Sequence, residues 1–137
     1  MPVIVLPYIP STITVHLGLP DQWAENVTVS FPDYVKNVAS SEIYPTWELS
    51  AIRANVLAII SFALNRVYTE FYPSRGYDFQ ITASTAYDQK FIRGRNIFEN
   101  ISQIVDEIFN DYLRRPDRAD PLFAQFCSGT TVTCDGL

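Results

Sequence analysis

The segment that most restricts the fold is LSAIRANVLAIISFAL, from Leu49 to Leu64. Ala51, Ile52, Ala54, Val56, Leu57, Ile59, Ile60, Phe62, Ala63 and Leu64 cover nearly the whole circumference of a helix, so its middle is expected to be buried on several sides. Thr46, just ahead of Trp47-Glu48-Leu49, reads as an N-cap, and the helix is expected to reach about Tyr72. The best apolar window, Val56 to Leu64, is closed by Asn65 and Arg66, well short of the ~20 residues a spanning helix requires. The expectation is therefore a core helix, the spine of the fold, and no membrane span.

The flanking sequence supplies the partners for that helix. Ser11 to Gly18 alternates polar and apolar residues as a half-buried strand does, and Asn26 to Phe31 repeats the pattern, so the two are expected to pair. Pro32-Asp33 opens a shorter helix, PDYVKNVASSEI, with Val35, Val38 and Ala39 on one face. PSRG at Pro73 to Gly76 breaks the long helix, and DFQITASTAYDQKF follows as strand or loop. RNIFENISQIVDEIFNDYL then places Ile97, Ile101, Ile104, Val105, Ile108 and Phe109 on one helical face. PLFAQFC reads as a returning strand. These elements lack a strand-helix-strand rhythm, which makes the fold class α+β: a single domain with a long buried helix, further helices and short antiparallel strands. The expected division is an N-terminal strand segment, residues 1–31, ahead of a unit over residues 32–137.

Several function classes drop out. A net charge of -5 with 10 basic residues, scattered rather than striped, argues against nucleic acid as a partner. The 5 glycines are not spaced as in phosphate-binding loops, and neither a G-x-S-x-G elbow nor H-E-x-x-H is present. A neutral or weakly charged polymer suits this surface better. His16, in the alternating run TITVHLG, reads as a strand residue, and with Cys127 and Cys134 it does not make a zinc set. The two cysteines flank SGTTVT, a spacing that fits either a disulfide-closed hairpin outside the cytosol or two thiols inside it. The N-terminal MPVIVLPYIP lacks a basic start and is interrupted by Pro2, Pro7 and Pro10, so it does not read as a signal peptide.

Three stretches could carry chemistry. In VASSEIYPTW, Glu42 is set among Ile43, Tyr44 and Trp47; partial desolvation there would raise its pKa and keep a proton available, as a general acid needs. The bland alternative is a solvated or capping residue at a helix junction. Ser84, Thr85, Tyr87 and Gln89, in STAYDQ, offer hydroxyls, an amide and an aromatic face suited to a sugar, or simply a hydroxyl-rich surface loop. FCSGTT around Cys127 could hold a nucleophile only with a histidine partner, and His16 is the single candidate.

Taken in order, VASSEIYPTW, LSAIRANVLAIISFAL, ASTAYDQKF and PLFAQFCSGTTVT resemble the stage II sporulation protein D family, over roughly Pro32 to Leu137. The resemblance implies that Glu42 is the catalytic glutamate of a peptidoglycan lytic transglycosylase. It further implies a substrate site formed with Ser41, Tyr44, Ser84, Thr85, Tyr87 and Gln89, glycan strands as partner, and an extracytoplasmic location at the cell wall or spore envelope. Other cell-wall or spore-envelope proteins are further candidate partners. No cofactor is implied. Some members of that family carry zinc-binding cysteines and a histidine in the segment matching Ala83 to Phe91; Ala83, Tyr87 and Asp88 stand there in this sequence, so no metal is expected.

The sequence also departs from the family at Ile60, where arginine is common, and at CSGTTVTCDGL, beyond which members usually continue. A short form or a piece of a longer protein is the corresponding expectation. These departures keep an alternative open, a non-catalytic peptidoglycan-binding or scaffold domain of the amidase-enhancer kind. A third reading is a structural domain whose N-terminal strands pair with a partner.

Overall fold

The computed structural model describes residues 9–109. Strand β1 (Thr12–His16) is the centre of a three-stranded sheet of order β2-β1-β3. It pairs antiparallel with β2 (Asn26–Ser30), in the register Thr12↔Ser30 to His16↔Asn26. It pairs parallel with β3 (Ile81–Thr82) through Val15↔Ile81. The expected ribbon is present, but the sheet is mixed rather than antiparallel. The parallel pairing is extended at its start by Gln80, whose amide N donates to Thr14 O and whose Oε1 accepts from Thr14 N. Because alternate residues of a strand share a face, Ile13 and Val15 both enter the core and are fully buried.

Helix α1 (Phe31–Glu42) follows β2 without a loop. Ser30 caps it, its Oγ accepting from Asp33 N at 3.2 Å, while Pro32 occupies the first turn where no amide hydrogen is needed. Phe31, Tyr34, Val35, Val38 and Ala39 are fully buried. Helix α2 (Leu49–Tyr68) has Glu48 rather than Thr46 at its N-cap position and stops short of Tyr72, which belongs to the turn leading into a 3-10 segment, Pro73–Arg75. The start is delayed because the preceding chain makes its own turn: Trp47 N donates to Tyr44 O, and Asn100 Nδ2 holds Pro45 O at 2.8 Å.

By length and mean hydropathy, Leu49–Arg75 does reach the mark for a membrane-crossing helix, contrary to the expectation from the shorter apolar window. Here it serves as a core helix, with Ile52, Val56, Ile59, Ile60, Phe62, Ala63 and Leu64 buried. Helix α3 (Glu99–Ile108) buries Ile101, Ile104, Val105 and Ile108 against α1 and α2; Ile97 lies before its start and is exposed. The spine is shared, since α1 touches β1, β2, α2 and α3, whereas α2 touches α1, α3 and β3. PLFAQFC, Cys127 and Cys134 lie outside the described residues.

Candidate active site

The irregular segment between β3 and α3 contributes little secondary structure, so its backbone polar groups must find partners elsewhere. Side chains of α1 supply many of them. Asn37 behaves like a strand neighbour, donating from Nδ2 to Ile92 O at 2.7 Å and accepting at Oδ1 from Ile92 N at 2.9 Å. Ser40 Oγ accepts from Phe98 N at 3.3 Å, and Glu42 Oε1 accepts from Lys90 N at 2.9 Å. Asn37, Ser40 and Glu42 thus hang one wall of a groove on the end of α1.

Glu42 closes α1, and Ile43, the next residue, turns into the core. Burial raises the Glu42 pKa above the ordinary carboxylate value; the Lys90 amide hydrogen and then the Lys90 charge pull the other way without cancelling it. Glu42 Oε2 is buried and has no hydrogen-bond partner among the described residues. Since Oε1 receives an N–H, the position for an acidic proton is Oε2.

A groove of about 270 Å³ adjoins this carboxyl, lined by Ser40, Ser41, Glu42, Ile43, Tyr44, Pro45, Arg95 and Phe98. Among the described residues, Glu42 is the one acid in that lining. Tyr44 stands 68% exposed at the rim, able to offer a ring face to a ligand. The aromatic wall therefore comes from Tyr44 and Phe98; Trp47 faces a neighbouring depression instead. Arg95, which sequence reasoning missed, donates from Nη1 to Ser41 Oγ at 3.1 Å and lies over the Phe98 ring. It is aimed by Gly94, whose φ of 79° suits glycine. Nothing in the short run RGRN marks this residue in advance; it joins Glu42 only through the turn.

Of the other expected site residues, Ser41 and Tyr44 join Glu42 in the groove, while Ser84, Thr85, Tyr87 and Gln89 do not line it. Ser84 serves its own turn: its Oγ accepts from Ala86 N, and its carbonyl accepts from Asp88 N at 2.8 Å. Thr85 and Tyr87 are exposed on that turn. Gln89 is buried with both ends of its amide occupied, Oε1 by the Tyr34 hydroxyl at 2.9 Å and Nε2 by Ile59 O at 3.1 Å. Burial keeps the Tyr34 phenol protonated, so it remains the donor. Gln89 is a strut beneath the site rather than a surface for sugar.

Asp88 is the second residue sequence reasoning undervalued. Its Oδ1 accepts from Arg66 Nε at 2.7 Å, and its Oδ2 accepts from Tyr72 OH, Thr82 Oγ1 and Thr82 N at 2.6, 2.6 and 3.0 Å. Arg66 also donates to Tyr87 O at 3.0 Å and stacks on Phe71, 3.8 Å from the ring centre. A cation at the end of an apolar helix was the available signal, because burial obliges such a group to find an anion. Asp88, Gln89 and Lys90 are consecutive, and their contacts run to Arg66, to Tyr34 and to Glu42. The ion pair therefore fixes the segment that presents the Lys90 amide to the catalytic candidate. These contacts also leave Asp88 unsuited to zinc: both oxygens are taken, and among the described residues no group of three or more His, Cys, Asp or Glu side chains is placed to hold a metal ion.

No curated protein and no solved structure matches the chain. A family profile does, that of the stage II sporulation protein (SpoIID), over residues 21–112, about two thirds of the chain. The matched stretch contains α1, α2, β3 and α3, and with them Glu42, its groove and the Asp88–Lys90 support. The chain therefore belongs to the stage II sporulation protein D family, a family associated with peptidoglycan remodelling.

Proposed function

We propose that this domain cleaves peptidoglycan glycan strands as a lytic transglycosylase, with Glu42 as the single general acid and base. The observation that carries the reading is one carboxyl with a raised pKa, held by the Lys90 amide beside a groove that contains no other acid among the described residues. Hydrolases of glycosides ordinarily use two carboxyl groups, one for the leaving oxygen and one for the water or the sugar carbon. A transglycosylase needs one.

In the first step the Glu42 carboxyl turns so that Oε2 faces the groove and gives its proton to the glycosidic oxygen as the bond from N-acetylmuramic acid C1 to that oxygen breaks. The carboxylate left behind is stabilised by the Lys90 N–H on Oε1. It then takes the proton from the sugar's own 6-hydroxyl as that oxygen bonds to C1, closing a 1,6-anhydro ring and restoring the acid. Tyr44 and Phe98 pack against sugar faces, and Arg95 and Ser41 meet polar substituents along the strand. The reaction belongs outside the cytoplasm, where the wall is, and needs no cofactor. Ser84, Thr85 and Tyr87 meet the strand only where it extends past the groove onto the exposed turn.

Digestion of purified peptidoglycan followed by mass spectrometry tests this reading. The expected products are anhydro-muropeptides, lost in Glu42→Gln; equal product patterns for the two proteins overturn it. The burial of Oε2 favours a second reading, a peptidoglycan-binding domain without catalysis, for which the domain sediments with insoluble peptidoglycan and releases nothing.

A further inference from the structure

A second depression of about 250 Å³ lies between the start of α2 and α3, and its lining includes Trp47, Leu49, Arg53, Asn100, Gln103 and Glu107. We infer that it is a distal sugar subsite, taking an N-acetylhexosamine residue of the same glycan strand beyond the linkage at Glu42. The inference rests on the glycan reading proposed above and extends the site along the strand.

Continuity is the first argument. The Glu42 groove is bounded by Tyr44 and Pro45 on one side and Phe98 on the other; the second depression is bounded by Trp47 and Asn100. The same two chain segments thus form the walls of both. They are tied together between the two hollows by Asn100 Nδ2 donating to Pro45 O at 2.8 Å. The two hollows are therefore neighbours along one seam, with Tyr44 of the first and Trp47 of the second 5.9 Å apart between ring centres.

Chemistry is the second argument. A pyranose offers an apolar face and a ring of hydroxyls and acetamido groups, so it is held by an aromatic side chain with a few polar groups around it. Trp47 supplies the aromatic surface, its ring 5.9 Å from that of Tyr44 and inclined at 55° to it. Around it, Gln103 on α3 is exposed and donates from Nε2 to Glu99 Oε1 at 3.3 Å, which leaves its amide oxygen to accept from a sugar. Arg53 and Glu107, paired across the depression, offer donors and acceptors fixed by their mutual bond. Tyr44 at the rim of the first hollow and Trp47 in the second place two aromatic surfaces in succession along the strand path.

Calorimetric titration with N-acetylglucosamine oligosaccharides, using Glu42→Gln as the parent so that nothing is cut, tests the inference. The hexasaccharide is expected to bind the parent more tightly than the disaccharide, and Gln103→Ala or Trp47→Ala is expected to weaken the hexasaccharide about tenfold while leaving the disaccharide unchanged. Gln103 is exposed, so that variant keeps the fold even where Trp47→Ala does not. In a Trp23→Phe background Trp47 becomes the sole tryptophan, and its emission is expected to shift on binding the hexasaccharide. Hexasaccharide affinity unchanged in Gln103→Ala and an unmoved Trp47 emission, with the parent still binding, overturn the subsite alone. A parent that binds no oligosaccharide overturns the subsite and the glycan reading together.

Discussion

Asp88→Asn is the most informative perturbation of the scaffold beneath the site. The Asp88 side chain is wholly buried and the Arg66 side chain 8% exposed. Four donors converge on the two carboxylate oxygens, one on Oδ1 and three on Oδ2. Asparagine has one oxygen and one NH2. Turned one way, it sets its NH2 against the Arg66 N–H; turned the other, against the Thr82 backbone N–H, while the Tyr72 and Thr82 hydroxyls must rotate to accept from it. Either orientation leaves one N–H facing another and removes the anion, and Arg66 stays cationic because a guanidinium does not deprotonate in a protein. Removing one partner of a buried ion pair costs about 3–5 kcal/mol, a large share of the ~5–15 kcal/mol that holds a domain folded.

Urea unfolding followed by circular dichroism should therefore show the midpoint falling by about 2 M. Adding Arg66→Met removes the stranded cation and is expected to recover part of the loss, because the pair's own net contribution is small compared with the cost of breaking it. A midpoint moved by less than about 0.5 M in Asp88→Asn, or a double variant worse than the single one, would refute the assignment of Asp88 and Arg66 as the anchor of this segment.

Glu42→Gln should change stability in a pH-dependent manner. Burial raises the folded-state pKa, so the native protein binds the proton more tightly than the unfolded chain, and the wild type loses stability as pH rises from the unfolded value through the folded one. Thermal melts should show the variant gaining on the wild type above that window and matching it below; a difference independent of pH contradicts the raised pKa. Asn37→Ala frees the Ile92 backbone N–H and C=O at a cost of about 1–2 kcal/mol, and amide hydrogen exchange at Ile92 should accelerate, with unchanged protection counting against the strand-like pairing. Ser30→Ala removes the α1 cap and should cost about 1 kcal/mol in denaturant titration, while a neutral effect would mean that Pro32 alone sets the helix start.

The regular elements were legible because their signals are local. Alternation in TITVH and NVTVS gave the antiparallel pair, and the apolar faces of α1, α2 and α3 gave their burial. The parallel strand Ile81–Thr82 was not legible, since two residues carry no periodicity and the pairing depends on Gln80 meeting Thr14 from afar in sequence. Among the site residues, Glu42 stood out by its apolar setting and by the family resemblance. Polar composition does not separate the roles of Ser84 and Gln89: a hydroxyl or amide in an irregular segment suits a sugar and its own backbone equally well, and here Ser84 Oγ accepts from the Ala86 amide while the Gln89 amide is engaged in the core. Arg95 had no signal, because its approach to Ser41 depends on a glycine turn and on Asn37 holding Ile92.

The central claim is that one carboxyl cleaves the strand without water, and digestion of peptidoglycan in H2(18)O tests it most directly. The account predicts anhydro-muropeptides carrying no heavy oxygen at the new sugar terminus, and none of these products from Glu42→Gln. Incorporation of 18O at that terminus, or release that survives the substitution, would contradict it.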